Sequence, residues 1–320
     1  GNHQPIDAKA LESSLVAAGQ FKPLLHYQIA LLLDAAGKPA EAKPHYDAVY
    51  AQKQLSYRIA QVLVSFYARQ GDKEKEAAIF SRYKEQYKHG LGELSRKLEV
   101  STPREGTAEI FYGVSSLLFS LEAYAEAQIP LQIALDLRQE FDAVYFLQAN
   151  LLERQERFDE AVLVYRKLKN HPAFGLQAQI RMAYCFNDSK RSEEALDLLE
   201  ETIKQFPHEE EPLLTKADIL RVEKKYMQAI EVYTQALSKN KTHSAKHWSL
   251  FYSRAICYER SGEWEKAEAD FLEALRLEPD QPDVLNYLGY SWLIQGKQLK
   301  QAKEMIEKAM LVRPQDAHII

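Results

Sequence analysis

The sequence repeats a pattern of small and large side chains every 34 residues, and this period constrains the fold more than any other feature. With place 1 of a repeat set at Asp142, a small residue falls at place 8, an alanine at place 20 and a large side chain at place 24. Successive repeats carry at place 8 Ser115, Ala149, Ala183, Ala217, Ala255 and Gly289. They carry at place 20 Ala127, Ala161, Ala195, Ala229 and Ala267. Place 24 holds Leu131, Tyr165, Leu199, Tyr233 and Phe271.

Each repeat contains two apolar stretches with helical spacing, at places 4, 7, 8 and 11 and at places 20, 24 and 27. Turn residues such as Gly37, Gly71, Gly262 and Gly296 separate the two stretches. Small residues let two antiparallel helices approach closely, and the large residue fills the space beside them. The sequence therefore predicts an all-α fold of helical hairpins. Because one hairpin cannot bury its own apolar face, the repeats must stack on their neighbours.

The regularity of the repeats divides the chain into three parts. Residues 1–90 hold about two divergent repeats, marked by Ala30, Gly37, Ala42 and Tyr46 and then, with a one-residue slip, by Tyr67, Gly71 and Ala77. Residues 91–107 fit no repeat and predict an irregular connector. Residues 108–320 hold six regular repeats, at 108–141, 142–175, 176–209, 210–247, 248–281 and 282–316. We number the repeats 1 to 8 along the chain, and expect the natural protein to continue because 317–320 match the start of another repeat.

Two local departures from the pattern carry predictions of their own. Pro130 lies at place 23 of repeat 3, where proline removes a backbone donor, so we expect a kink or a late start of that helix. The last repeat needs one inserted residue in its turn, between Gly296 and Ala302.

Repeat 7 carries the residues on which a family resemblance rests. They are Trp248, Phe251, Ala255, Tyr258, Gly262, Trp264, Ala267, Phe271, Ala274 and Pro279. This unit resembles a nearly complete tetratricopeptide repeat, and the resemblance covers residues 23–316. It implies a right-handed α-solenoid whose first helices line a concave groove that binds protein segments. Residues 285–292 and 305–309 are also similar to repeat proteins of Gram-negative bacterial envelopes, some of them lipoproteins.

Charge and hydropathy exclude two classes of protein. With 41 basic and 46 acidic residues, the formal net charge is −5, which is not that of a polybasic nucleic-acid binder. No apolar run approaches the ~20 residues that span a bilayer. The chain begins at Gly1 rather than Met, which leaves open an upstream signal peptide or lipid anchor. From the envelope resemblance we expect a protein of the periplasm or one anchored at the outer membrane, with the cytoplasm as the alternative.

No motif for a catalytic, cofactor or metal site occurs in the sequence. Ser115 follows Gly113 as in a nucleophile elbow, but the second glycine is missing and the stretch is predicted to be helical. His243 and His247 are four residues apart without a third ligand, so we expect two solvated histidines. Cys185 and Cys257 share place 10 two repeats apart, and we expect free, semi-buried thiols. The prediction is no enzyme, no cofactor and no metal.

In the geometry that the resemblance implies, places 2, 5, 9, 12 and 13 of each first helix face the groove. From these places we predict a partner-binding set of Tyr112, Phe146, Asn150, Arg154, Tyr184, Asn187, Asp218, Arg221, Tyr252, Asn286 and Tyr290. Tyrosine and arginine are enriched at binding hot spots. Each ring has an alternative role, which is to wedge adjacent first helices together. The polar Asn150, Asn286 and Arg221 favour binding, because polar side chains gain little from core packing.

These observations predict a non-catalytic scaffold or adaptor that binds a peptide or protein segment in its groove, within a bacterial envelope complex. A self-assembling structural protein, and hence a homo-oligomer, is the alternative. A third hypothesis is an enzyme or enzyme-regulating subunit whose site lies outside the repeats.

Overall fold

The computed structural model describes residues 22–86, 100, 102–239 and 243–314, and within these ranges every regular element is helical. This confirms the predicted all-α class. The helices are α1 Lys22–Ala35, α2 Pro39–Tyr50, α3 Tyr57–Arg69, α4 Lys73–Gln86, α5 Pro103–Ser120, α6 Tyr124–Leu137, α7 Asp142–Arg154, α8 Phe158–Lys167, α9 Gly175–Asp188, α10 Ser192–Gln205, α11 Glu211–Val222, α12 Tyr226–Ser238, α13 Trp248–Arg260, α14 Trp264–Leu277, α15 Pro282–Ile294 and α16 Leu299–Val312. Odd-numbered helices are the first helices of repeats 1 to 8, and even-numbered helices are the second.

The chain forms two compact units, residues 1–190 and residues 191–320. Unit 1 contains repeats 1 to 4 and α9, and unit 2 contains α10 and repeats 6 to 8. The boundary therefore falls in the turn of repeat 5. The three-part division predicted above follows the regularity of the sequence, whereas the compact units follow the contacts between helices.

The small and large columns of the repeat are buried as the period predicts. In unit 2, Ala217 on α11 and Ala229 on α12 are both fully buried, and Tyr233 at place 24 is 1% exposed. The tightest contact of this kind is at Gly289, where an added Cβ would lie 2.9 Å from the carbonyl oxygen of Ala302. Repeat 8 therefore requires glycine at place 8, because real Cβ atoms do not approach a backbone oxygen that closely.

The turn between the two helices has the same backbone conformation in all eight repeats. Place 15 adopts a left-handed φ between 59° and 81° each time. The residues are Gly37, Gly71, Glu122, Glu156, Lys190, Lys224, Gly262 and Gly296. In the turn of repeat 4 the Glu156 amide donates to the Glu153 carbonyl and the Arg157 amide to the Leu152 carbonyl, which is the Schellman arrangement. The inserted residue predicted for repeat 8 is present, since Gln298 is a second left-handed residue and α16 begins after it.

Helix α5 begins inside the segment for which the sequence predicts an irregular connector. Thr102 caps it in a capping box with Glu105, at 3.2 and 3.0 Å, and Pro103 occupies its first turn. Proline suits that position because the first helical N–H groups have no intrahelical partner. Residues 103–107 are therefore helical, and residues 91–99 and 101 of the predicted connector lie outside the described residues.

Two local predictions need correction. Of the two outcomes expected for Pro130, a late helix start does not occur, because helix α6 runs from Tyr124 to Leu137 with Pro130 in its interior, and a kink stays a prediction. In repeat 2 the buried place-20 residue is Glu76, 9% exposed, whereas the predicted Ala77 points to solvent. The distance from Gly71 to Glu76 equals that from Gly37 to Ala42, so the register holds and the residue type changes.

Candidate functional site

A cleft of about 550 Å³ opens between the first helices of repeats 7 and 8, in unit 2. Its walls are Glu259 and Arg260 from the end of α13 and residues from α15. The α15 residues are Asn286, Tyr287, Tyr290, Ser291 and Ile294, and Gln295 follows the helix directly. Asn286, Tyr290 and Ile294 hold places 5, 9 and 13 of repeat 8, and Glu259 and Arg260 hold places 12 and 13 of repeat 7, so the predicted groove places converge on this cleft. Asn286 and Tyr290 of the predicted set lie in it together.

The cleft combines a charged end with an apolar end. At the charged end, Glu259 accepts a hydrogen bond from the Tyr287 hydroxyl at 3.2 Å and pairs with the Arg260 Nε at 3.3 Å. Burial and the Glu259 carboxylate raise the pKa of Tyr287. At the apolar end, Tyr290 is 42% exposed and Ile294 is 68% exposed. Such a surface offers one guanidinium and two apolar side chains to a bound segment.

Tyr252 lies beside the cleft and packs among rings. Its ring centroid is 6.0 Å from that of Tyr287 and 6.0 Å from that of Phe271, and 6.1 Å from that of Trp248. Burial raises its pKa to about 12, with a contribution from Asp283. Tyr252 therefore wedges the first helices of repeats 7 and 8, the alternative role weighed for the groove rings.

Asp218 and Arg221, also in unit 2, are engaged by the place-24 ring of their own repeat. The Tyr233 hydroxyl donates to Asp218 at 2.6 Å, and the Arg221 Nε donates to that hydroxyl at 3.3 Å. These contacts hold both side chains of the first helix in place against the second helix. They show that polar residues at places 9 and 12 also stabilise the repeat.

In unit 1, Asn150 repeats the same relationship. It accepts a hydrogen bond from the Tyr165 hydroxyl, which also donates to Glu153 at 3.0 Å. Arg181 forms a bidentate pair with Glu153. Arg154, on the neighbouring place, is exposed. Among Asn150, Glu153 and Arg154, which lie near the end of α7, only Arg154 is exposed.

The remaining predicted residues of unit 1 are partly buried. Phe146 stacks on Phe174 with centroids 5.1 Å apart. The Arg181 guanidinium lies 5.7 Å from the ring centroid of Tyr184. Asn187 donates to Asp188 at 3.3 Å.

Tyr112 is partly buried and shares a pocket with Tyr27 and Arg58 of the first two repeats. Its ring centroid is 5.2 Å from that of Phe141, and burial, followed by the Glu109 carboxylate, raises its pKa to about 12. The place-2 residue Glu109 is fully buried, and its carboxylate pairs with Arg58 of α3. Sequence reasoning missed this cluster, since Arg58 lies outside the regular repeats.

Among the residues of the unit 2 cleft that sequence reasoning missed are Tyr287 and Ile294. Ile294 lies at place 13, one of the predicted groove places, so its position was a usable signal. Tyr287 lies at place 6, which is not among the predicted groove places. It reaches the cleft because its ring extends past the interface to Glu259.

The histidine prediction is wrong for His247, which is 3% exposed. Its Nδ1 accepts a hydrogen bond from the Ser244 amide at 2.9 Å, so it folds the short helical turn Ala245–His247 against α13. The His243 ring packs edge-on against Phe251 at 5.1 Å. Across the described ranges no three His, Cys, Asp or Glu side chains are placed to hold a metal ion.

Both cysteines are free, as predicted, but they are fully buried rather than semi-buried. Burial raises the pKa of Cys185 to about 12 and that of Cys257 to about 11. Neither thiol is therefore an activated nucleophile. In the part of the chain that the structure describes, no helix has the length and apolar character needed to cross a bilayer.

Comparison with known proteins identifies the repeat. A sequence model of the tetratricopeptide repeat matches residues 27–90, 214–282 and 258–309, and a second such model matches 177–208. A TPR repeat-containing protein of Pseudomonas aeruginosa is 26% identical over 180 residues. This match covers 56% of the chain but 30% of the relative, so the chain spans about a third of that protein's length.

Two solved structures have a similar fold. PilF of Pseudomonas aeruginosa superposes with a TM-score of 0.52 at 16% identity, over 68% of this chain and 96% of PilF. The Cut9–Hcn1 hetero-tetramer of the APC/C superposes with a TM-score of 0.52 at 12% identity, over 96% of this chain and 57% of the other. At these identities the likeness concerns the fold alone.

Proposed function

Since the chain belongs to the tetratricopeptide repeat family, we propose that it is a non-catalytic scaffold that binds a protein segment in the cleft between α13 and α15. Its fold is the predicted α-solenoid of tandem repeats, a fold suited to protein–protein interaction. The observation that carries the proposal is the unit 2 cleft itself. It exposes Tyr290 and Ile294 beside the Arg260 guanidinium, and aromatic and arginine side chains are the commonest binding hot spots.

A photo-crosslinking amino acid at position 290 or 294 tests this proposal in the native host. We expect a defined partner to crosslink from both positions and to disappear when Arg260→Ala is added. The matched control is the same amino acid at position 272, where Leu272 is 45% exposed on α14, outside the cleft. Equal crosslinking from all three positions, or full retention of the partner in the Arg260→Ala variant, contradicts the proposal.

Self-assembly is a second candidate function, and the exposed apolar side chains of α16 favour it. Leu311 is 82% exposed, Val312 is 50% exposed and Met310 is 49% exposed. Adjacent exposed apolar groups drive association between copies. Light scattering across a concentration series tests this candidate. A strict monomer whose mass is unchanged by Leu311→Ser rejects it.

We also propose a setting in the Gram-negative cell envelope. The support is the similarity of residues 285–292 and 305–309 to envelope repeat proteins. Fractionation of the native host, followed by detection of the full natural protein, tests the setting. Recovery in the cytoplasmic fraction alone contradicts it.

A further inference from the structure

The concave side of repeats 3 and 4 is covered by the chain's own first two repeats, all within unit 1. Helix α1 packs along α5, and Gly113 of α5 lies directly against Gln28 and Leu24 of α1. A Cβ at Gly113 would lie 2.2 Å from the Gln28 Nε2 and 3.3 Å from a Leu24 methyl. Gln28 donates to the Glu109 carbonyl at 3.3 Å. First helices of non-consecutive repeats are thus in direct contact.

A buried carboxylate forms the centre of this contact. Glu109 is fully buried and pairs with Arg58, whose side chain is 8% exposed, and with Arg138 at 3.4 Å. The Tyr27 hydroxyl donates to Glu109 at 3.3 Å, and burial together with this carboxylate raises the pKa of Tyr27. A buried carboxylate is tolerated only when it is paired and hydrogen-bonded. Any segment that packs on Glu109 must therefore supply a cation such as arginine.

Aromatic side chains surround the ion pairs. The Arg58 guanidinium lies 5.1 Å from the ring centroid of Phe141. The neighbouring Tyr57 ring makes edge contacts with Phe174 at 5.2 Å and with His171 at 6.1 Å. The first turn of α3 therefore inserts an arginine and a ring, next to each other in sequence, among the side chains of repeats 3 and 4. This is the pattern of anchor residues by which a helix docks in a groove.

We propose that the concave face of repeats 3 and 4 is a binding groove for a helix that presents an arginine next to an aromatic side chain. Residues 22–86 of the chain occupy this groove in cis. A partner helix with the same two anchors competes with α3 and displaces it. This site differs from the unit 2 cleft, so either proposal can fail without the other.

Residues 22–86, the internal occupant of the groove, compete with any free ligand for it. A ligand that is part of the same chain acts at a much higher effective concentration than a free peptide at ordinary concentration, so the free peptide competes poorly against it. Weakening the internal contact removes that competition without changing the groove. Arg58→Ala does this, because Arg58 belongs to the occupant and Glu109 and Phe141 belong to the groove.

The experiment uses the whole chain and a fluorescein-labelled peptide of residues 53–62, which contains Tyr57 and Arg58. Anisotropy titrations compare the wild type with the Arg58→Ala variant. We expect the variant to bind the peptide at least tenfold more tightly, and a peptide carrying Arg58→Ala to bind neither protein. The matched control is Arg166→Ala, which removes an exposed arginine from α8, the second helix of repeat 4, and leaves peptide binding at the wild-type level.

Equal affinity of the wild type and the variant for the peptide overturns the proposal, as does equal binding of the peptides with and without arginine. If Arg58→Ala unfolds unit 1, Tyr57→Ala replaces it, because that change removes the ring contacts with Phe174 and His171 and leaves the Arg58–Glu109 pair in place. A disulfide between Gln28→Cys and Gly113→Cys gives a second measurement in the same background. Oxidation should abolish peptide binding and reduction should restore it, and binding unaffected by the disulfide contradicts displacement.

Discussion

The Tyr233 hydroxyl donates a 2.6 Å hydrogen bond to the carboxylate of Asp218, joining place 24 of a repeat to place 9 across the hairpin. Tyr165 and Asn150 make the same connection in repeat 4. In both repeats a ring that fills the space between two helices also ties down a polar side chain of the concave face. Two residues of the predicted partner-binding set are thereby part of the repeat's own stabilisation.

We expect Tyr233→Phe to lower the free energy of unfolding of unit 2 by about 1 kcal/mol, the usual net value of one hydrogen bond. Asp218→Asn keeps an acceptor and should cost less. Chemical denaturation followed by circular dichroism measures both. The control is Tyr290→Phe, at a ring that is 42% exposed, for which we expect no change. Equal stability of Tyr233→Phe and wild type would show that the hydrogen bond contributes nothing.

Glycine at place 15 should stabilise the repeats that lack it. Glu156 has φ 59° and Lys224 has φ 61°, a left-handed conformation that costs a non-glycine residue about 1 kcal/mol. We therefore expect Glu156→Gly and Lys224→Gly each to raise the midpoint of thermal unfolding. The reverse change, Gly262→Ala at φ 81°, should lower it. A destabilised Glu156→Gly protein would mean that the carboxylate, rather than the backbone, matters at this turn.

Gly289→Ala should destabilise unit 2 by about 1–3 kcal/mol, the usual cost of overpacking. The added Cβ would lie 2.9 Å from the Ala302 carbonyl oxygen and 3.0 Å from an Ile306 side-chain carbon, so α15 and α16 must separate. Urea unfolding measures the change. Ser291→Ala, two residues along the same helix, is the control and should be close to neutral. If Gly289→Ala unfolds like the wild type, the close approach of the two helices is not required.

Both thiols should resist modification in the folded protein. Burial raises the pKa of Cys185 to about 12 and that of Cys257 to about 11, so almost no thiolate forms at pH 8. We expect no reaction with a disulfide reagent at pH 8 until denaturant is added, and then two equivalents per chain. Rapid reaction of one equivalent under native conditions would show that one of the helices carrying these residues opens.

Acid should weaken unit 2 through His247. Burial, followed by the charge of Lys246, lowers the pKa of His247 below its ordinary value of about 6.5. The unfolded state therefore takes up a proton first, so this contribution to stability is full above pH ~6.5 and is lost as the pH falls through that value toward the folded-state pKa. Thermal unfolding between pH 5 and 8 measures the loss. His247→Gln should flatten the pH dependence, and an unchanged slope in that variant would exclude His247 as its source.

The fold was accessible from the sequence because its determinants are local and periodic. The buried small residues at places 8 and 20 and the turn glycines recur with the period, so each repeat confirms the others. The predictions from the sequence were wrong where one residue type is compatible with two kinds of local structure. Pro103 and Gly106 resemble breakers although proline suits a first turn, and Ala77 resembles the small residue of a column that Glu76 occupies.

The sites could be predicted only in part. Asn286 and Tyr290 stand at places that face the groove in the geometry implied by the family resemblance, and both line the unit 2 cleft. Place numbers did not reveal that Asn150 and Asp218 are held by tyrosines from the second helix, since a hydrogen bond between helices depends on side-chain reach. Nor did they reveal that the first two repeats pack beside Tyr112. That packing depends on contacts such as the pair of Arg58 with Glu109, which are 51 residues apart in the sequence.

The sequence by itself determined that the chain is a series of helical hairpins with small residues at the contacts, because periodic patterns act within a repeat and between neighbours. Only the tertiary structure decided which concave surfaces are open. Helices α1 and α3 cover one surface. Gln28 of α1 reaches repeat 3 and Tyr57 of α3 reaches repeat 4, and no period in the sequence encodes such contacts between repeats that are not consecutive. The unit 2 cleft remains open because Tyr290 and Ile294 keep much of their surface in solvent.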